Sequence, residues 1–154
     1  MLAIRRILFP TDFSEHAESA WPYALMFAQQ FGAEIHLLHV VVPPPRLAEA
    51  YAVTFDPERM VDTLTAEAAA QMDRQVEGAK DRGLVFHREV RTGADAREII
   101  DYATKHEIDL VVMATHGRTG LAHVLLGSVA EKVVRKAPCP VLTIKPPAMK
   151  SAVP

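Results

Sequence analysis

Five stretches of this chain, residues 4–10, 34–42, 85–90, 109–114 and 141–144, have the length and side-chain character of strands, and all but the third are nearly continuous apolar runs. A strand without polar alternation is buried on both faces, which requires a parallel sheet with helices above and below it. Helical patterns fill the intervals, near residues 14–31, 57–82, 96–105 and 128–136. Their starts are marked by Asp56-Pro57, by Asp95 with Glu98 three residues on, and by Ser128 with Glu131 in capping-box spacing. Strand and helix taking turns specify an open α/β fold. Right-handed crossovers then predict a doubly wound, five-stranded parallel sheet of order 3-2-1-4-5, with the first and fourth strands side by side at the switch point.

A single domain over residues 1–147 with a C-terminal tail, 148–154, suits a chain of 154 residues that is 49% hydrophobic. The net charge of −2 provides no electrostatic footprint for nucleic acid or an anionic membrane, so neither is expected as a partner. No apolar run approaches the roughly 20 residues that span a bilayer, and the opening residues read as a strand rather than a secretory leader. The lone Cys139 rules out an internal disulfide framework and fits a reducing compartment, so the expected location is the cytoplasm.

Two segments resist this pattern. Pro22 falls inside the first helical stretch, where it predicts a kink or a late helix start. Residues 42–56, with Pro43-Pro44-Pro45, Tyr51 and Phe55, have no clear period and exceed the usual connection of about 4 to 6 residues. A lid, a partner surface and a plain surface loop all remain open for that segment.

In an open α/β sheet the ligand crevice lies at the carboxyl ends of the strands beside the switch point, here Pro10-Thr11-Asp12 and Met113 to Gly117. The fourth strand empties into Ala114-Thr115-His116-Gly117-Arg118-Thr119-Gly120, and Gly127-Ser128 then heads a helix. Strand, glycine-bearing turn and helix start together make an anion site, because unpaired N–H groups and the macrodipole favour negative charge there. It is not a Walker A loop, for Leu126-Gly127-Ser128 lacks the lysine, and no G-x-G-x-x-G follows the first strand.

These residues carry a resemblance. Ile7-Leu8-Phe9-Pro10-Thr11-Asp12-Phe13-Ser14 at the start, His39-Val40 closing the second strand, Gly117 separated by nine residues from Gly127-Ser128, and Ala137-Pro138-Cys139-Pro140-Val141-Leu142 at the end are similar to the universal stress protein family over essentially the whole chain. The resemblance implies a Rossmann-like fold of the adenine nucleotide alpha hydrolase type. Nucleotide-binding members carry G-x2-G-x9-G-[ST], and the spacing is kept here with Ala114 in place of the first glycine. By the same resemblance, Asp12, beside Pro10 and Thr11, would lie near the ribose and the Val40 backbone near adenine. Met113, Ala114, Thr115, His116, Gly117, Arg118 and Thr119 would wrap ribose and phosphates, while Gly127, Ser128 and Val129 would donate to the phosphate chain. The expected ligand is ATP, with Mg²⁺ optional.

Residue type alone leaves other roles open. Ser128 with Glu131, and Asp12 with Glu15, are also self-sufficient helix caps, and a loop arginine such as Arg118 is commonly solvated. His36 and His39, three apart on a strand, face opposite sides; His16, His87, His106 and His123 have no partner at ligand spacing, so no metal set is read. Cys139 between two prolines reads as a small buried apolar residue. The last strand, Val141, Leu142, Thr143 and Ile144, would be an apolar sheet edge, and the resemblance implies a homodimer through it. The function expected is a homodimeric ATP-binding module of the stress response. A slow ATPase and a nucleotide-free dimerisation scaffold are the alternatives.

Overall fold

A computed structural model describes residues 3–44, 56–116 and 126–146. Its sheet consists of five parallel strands in the order β3-β2-β1-β4-β5, with β1 Arg6–Pro10, β2 Glu34–Val41, β3 Phe86–Thr92, β4 Leu110–Ala114 and β5 Val141–Ile144. The helices are α1 Glu15–Phe31, α2 Pro57–Glu77, α3 Asp95–Lys105 and α4 Ser128–Lys136. The expected doubly wound order is therefore present, with β1 and β4 adjacent at the switch point. Residues Gly117, Arg118, Thr119, Gly120 and His123, and most of the segment 42–56, lie outside the described residues.

Alternation along the buried strands divides the core in two. Ile7 and Phe9 of β1, Ile35 and Leu37 of β2, and Leu110 and Val112 of β4 pack with Trp21 of α1 and Met72 of α2. Their neighbours Leu8, Leu38, Val111 and Met113 face the other way, against Ile99 and Tyr102 of α3 and Val133 of α4. The apolar runs follow directly from this two-sided burial. β3 lacks such a run because it is an edge strand, and several of its side chains are exposed.

Several local expectations change. α1 does not start late: it is continuous through Pro22, which lies on the exposed face where the missing N–H bond costs least. The predicted helix 57–82 ends earlier, α2 closing at Glu77 before a 3₁₀ turn, Lys80–Arg82, whose exit Gly83 has a left-handed φ of 67°. Asp95 is the first residue of α3 rather than its cap, which is Ala94, and Glu98 Oε2 lies 3.6 Å from Arg91 Nη1.

Candidate functional site

β1 leads into a tight turn. The Thr11 N–H donates to the Leu38 carbonyl at 2.9 Å, extending the β1–β2 ladder one residue past Pro10. The Phe13 N–H then donates to Thr11 Oγ1 at 3.0 Å and the Ser14 N–H to Asp12 Oδ1 at 2.9 Å. Phe13 sits at φ 60°, a left-handed conformation that costs a residue with a Cβ on the order of 1–2 kcal/mol. What holds it is His39: its Nδ1–H donates to the Thr11 carbonyl at 2.8 Å, and its ring stacks on Phe13 at 4.7 Å. Capping of α1 falls to Ser14, whose hydroxyl accepts from the Ala17 N–H at 3.2 Å. The Asp12–Glu15 cap is thus not formed, and Asp12 instead braces the turn.

Across the switch point the Thr115 N–H donates to the Ile144 carbonyl at 2.9 Å, carrying β4 one residue beyond Ala114. The Thr115 carbonyl accepts from the Gly127 N–H at 2.7 Å, tying the head of α4 to the end of β4. Thr115 Oγ1 and His116 Nδ1 lie 3.0 Å apart. Gly127 occupies the N-cap position of α4, and its carbonyl accepts from the Glu131 N–H at 2.9 Å. Ser128 is consequently the first helical residue, exposed and not a cap, and Glu131 pairs with Arg135. The capping-box reading of Ser128 and Glu131 is overturned, because the cap position belongs to a glycine.

Between these two turns lies a crevice of ≈ 490 Å³, within the range of small-molecule sites. Pro10, Thr11, Asp12, Val40, Met113, Ala114, Thr115, His116, Gly127, Ser128 and Val129 all border it, so every expected site residue among those described converges on one place. Ala114 is 7% exposed and its side chain belongs to the α1/α2 core, beside the crevice rather than across it. A Cβ on Gly127 would come within 3.2 Å of the Thr115 carbonyl oxygen, tighter than ordinary contact. The sequence missed one wall, formed by Leu64, Glu67, Ala68 and Gln71 of α2. Their three- and four-residue spacing marks one helix face, but nothing in it tells which end of the sheet that face meets.

At the opposite, amino end of β2, the structure corrects the reading of the histidines. His36 and His87 are register partners on β2 and β3, their rings stacked at 4.5 Å, and Glu34 reaches both at 3.2 Å. Burial holds the His36 imidazole below its ordinary range, against the opposing pull of Glu34.

The match to known proteins agrees with this geometry. The model of the Universal stress protein family matches residues 3–145. The chain belongs to that family. Universal stress protein MJ0531 of Methanocaldococcus jannaschii is 36% identical, the match covering 93% of this chain and 83% of that protein. Universal stress protein UspA from Lactobacillus plantarum is 29% identical and superposes with a TM-score of 0.82, covering 92% of this chain and 97% of that one. Two more distant members of this universal stress protein fold have adenine nucleotides bound. One, from Arabidopsis thaliana, holds AMP and is 20% identical at a TM-score of 0.65, over 94% of this chain and 93% of that one; the other, in complex with cAMP, is 23% identical at 0.62, over 92% and 97%. At those identities the likeness concerns the fold alone. Among the described residues of this universal stress protein, no helix is long and apolar enough to cross a membrane.

Proposed function

We propose that the crevice between β1 and β4 binds an adenine nucleotide, ATP foremost, and that the protein acts as a homodimeric binding or signalling module of the stress response. The observation that carries this reading is Gly127. It stands at the head of α4 with its N–H tied to Thr115, at a point where a Cβ would press on the Thr115 carbonyl. The first N–H groups of α4 therefore border the crevice with no capping side chain over them, as an anion site requires. The exposed hydroxyl of Ser128 lies at the same helix start.

In this reading Asp12 holds the ribose, the Val40 backbone meets adenine, and residues Met113 to His116 with Gly127, Ser128 and Val129 surround the phosphates. By the family resemblance, Gly117, Arg118 and Thr119, which lie outside the described residues, would complete the phosphate loop. The apolar part of the lining, with Leu64 and Ile99, suits a base and excludes water from it. AMP and cAMP in neighbours of the same fold support an adenine ligand. The homodimer is supported by β5, an edge strand whose four residues are each only half-buried in the single chain.

Calorimetric titration of nucleotide-stripped protein with Mg²⁺-ATP tests the reading, with Gly127→Val alongside and its folding checked by circular dichroism. Saturable binding lost in the variant is expected. No heat and no thermal stabilisation at millimolar ATP would refute nucleotide binding and favour a nucleotide-free scaffold, for which Ala114 in the motif's first glycine position is the supporting observation. Release of phosphate on prolonged incubation would select a slow ATPase over a binding module.

A further inference from the structure

Far from the crevice, at the amino end of the sheet, Glu34, His36 and His87 bring three metal-ligating side chains together across β2 and β3. We infer that they form a site for a divalent transition metal such as Zn²⁺, an ion that would fasten the edge strand β3 to β2. The inference stands apart from the nucleotide reading and does not need it.

The geometry is close to what such an ion demands. Glu34 Oε1 lies 3.2 Å from His36 Nε2, and Glu34 Oε2 lies 3.2 Å from His87 Nε2. A tetrahedral ion with bonds of about 2.0–2.1 Å keeps its ligand atoms about 3.3 Å apart. Each imidazole nitrogen is thus at that spacing from one carboxylate oxygen, His36 from Oε1 and His87 from Oε2, so the oxygen that ligates keeps one edge of the site in place. All three ligand atoms lie within 4.8 Å of one another. The other two edges of the ligand triangle therefore contract by at most about 1.5 Å each when an ion enters. Two imidazoles and one carboxylate suit Zn²⁺, Co²⁺ or Ni²⁺ rather than Mg²⁺ or Ca²⁺, which favour all-oxygen shells.

A second group fixes the ligand ring. Tyr102 Oη lies 2.8 Å from His36 Nδ1, and both side chains are buried. Without metal, His36 Nε2–H donates to Glu34 and Nδ1 accepts from the Tyr102 hydroxyl. When Nε2 ligates, the proton resides on Nδ1 and the hydroxyl accepts it instead, a reversal that a phenol allows at no net change in charge. The competitor is Arg6, whose Nε is 3.4 Å from Glu34 Oε1. Its Nη1 is also engaged by Glu107 and by the His106 carbonyl, each at 3.1 Å, so it retains partners when an ion takes Glu34.

The test is titration of tag-free, chelator-stripped protein with Co²⁺, read by its visible ligand-field bands, followed by displacement with Zn²⁺. One equivalent is expected to bind with a tetrahedral spectrum. His87→Ala, at an exposed position that folding does not need, should lower the affinity by at least about tenfold, and Glu34→Gln likewise. Zn²⁺ should raise the thermal midpoint of the wild type and leave that of His87→Ala unmoved. Absence of binding at millimolar Co²⁺ overturns the inference. So does binding of equal strength in both variants, which would place the ion on other histidines.

Discussion

Replacing Tyr102 with Phe removes one oxygen atom from the buried face of α3 and leaves the rest of its environment intact. The ring still stacks on His106 at 4.0 Å and still lies beneath the Arg91 guanidinium at 4.9 Å. What disappears is the 2.8 Å hydrogen bond to His36 Nδ1, between side chains that are 2% and 5% exposed. Water cannot take its place without opening the core. The cost is that of an abandoned buried polar atom, about 1–3 kcal/mol, rather than the smaller net value of one hydrogen bond. For a chain of this size each kcal/mol shifts the thermal midpoint by roughly 2–4 °C, so a fall of about 2–12 °C is expected. Urea unfolding with chelator present measures it, and His36→Leu provides the control. In that background the polar partner is already gone, and Tyr102→Phe should cost less than about 0.5 kcal/mol. Equal losses in both backgrounds, or none in the wild type, would refute the reasoning. The phenol offers a further check, since burial first and the charge of Glu89 next push its pKa from 10.0 up to about 12. Between those values the folded chain keeps a proton that the unfolded chain releases. This contribution to stability is fully present below pH 10.0 and is withdrawn as pH rises toward about 12, by up to about 1.4 kcal/mol per pH unit. Tyr102→Phe should lack that alkaline loss.

Met72→Ala should cost about 2–5 kcal/mol, as Met72 on the inner face of α2 is 1% exposed, and hydrogen exchange should show the loss concentrated in α2; a uniform loss over the sheet would contradict this. Leu142→Asp should convert a dimer to monomer in sedimentation while the circular dichroism spectrum is kept, and a folded, unchanged dimer would refute the β5 interface. Cys139 is half-buried, and burial together with Asp109 raises its thiol pKa against the opposing effect of a backbone bond with Val111. Its alkylation at pH 8 should accordingly be several-fold slower in the folded than in the unfolded chain, and equal rates would show the thiol to be open.

The strand order and the crevice were legible because each rests on local signals. Apolar runs without alternation require a covered parallel sheet, and crossover handedness then leaves few ways to arrange five strands. Gly127-Ser128, to which the family resemblance gives a phosphate role, borders the crevice at the head of α4. Caps were harder, since Ser128 with Glu131 shows the same sequence pattern whether the cap of α4 is Ser128 or, as found, Gly127. Glu34 and His36, two apart on one strand, share a face and were within reach of sequence reasoning. Their joining with His87 was not, because it depends on the parallel register of β2 with β3, which no local turn fixes. The wall that α2 lends to the crevice was hidden for the same reason.

α2 is 21 residues long, yet among them only Ala68 and Met72 are buried. A helix anchored so sparsely is expected to open at a lower free energy than the buried strands beneath it, a difference that native-state hydrogen exchange measures. One side of the crevice is therefore formed by a weakly anchored helix. Were the proposed nucleotide seated against Leu64 and Gln71, it would hold that helix down, and a protein competing for the helix's inner face would loosen the nucleotide to the same degree.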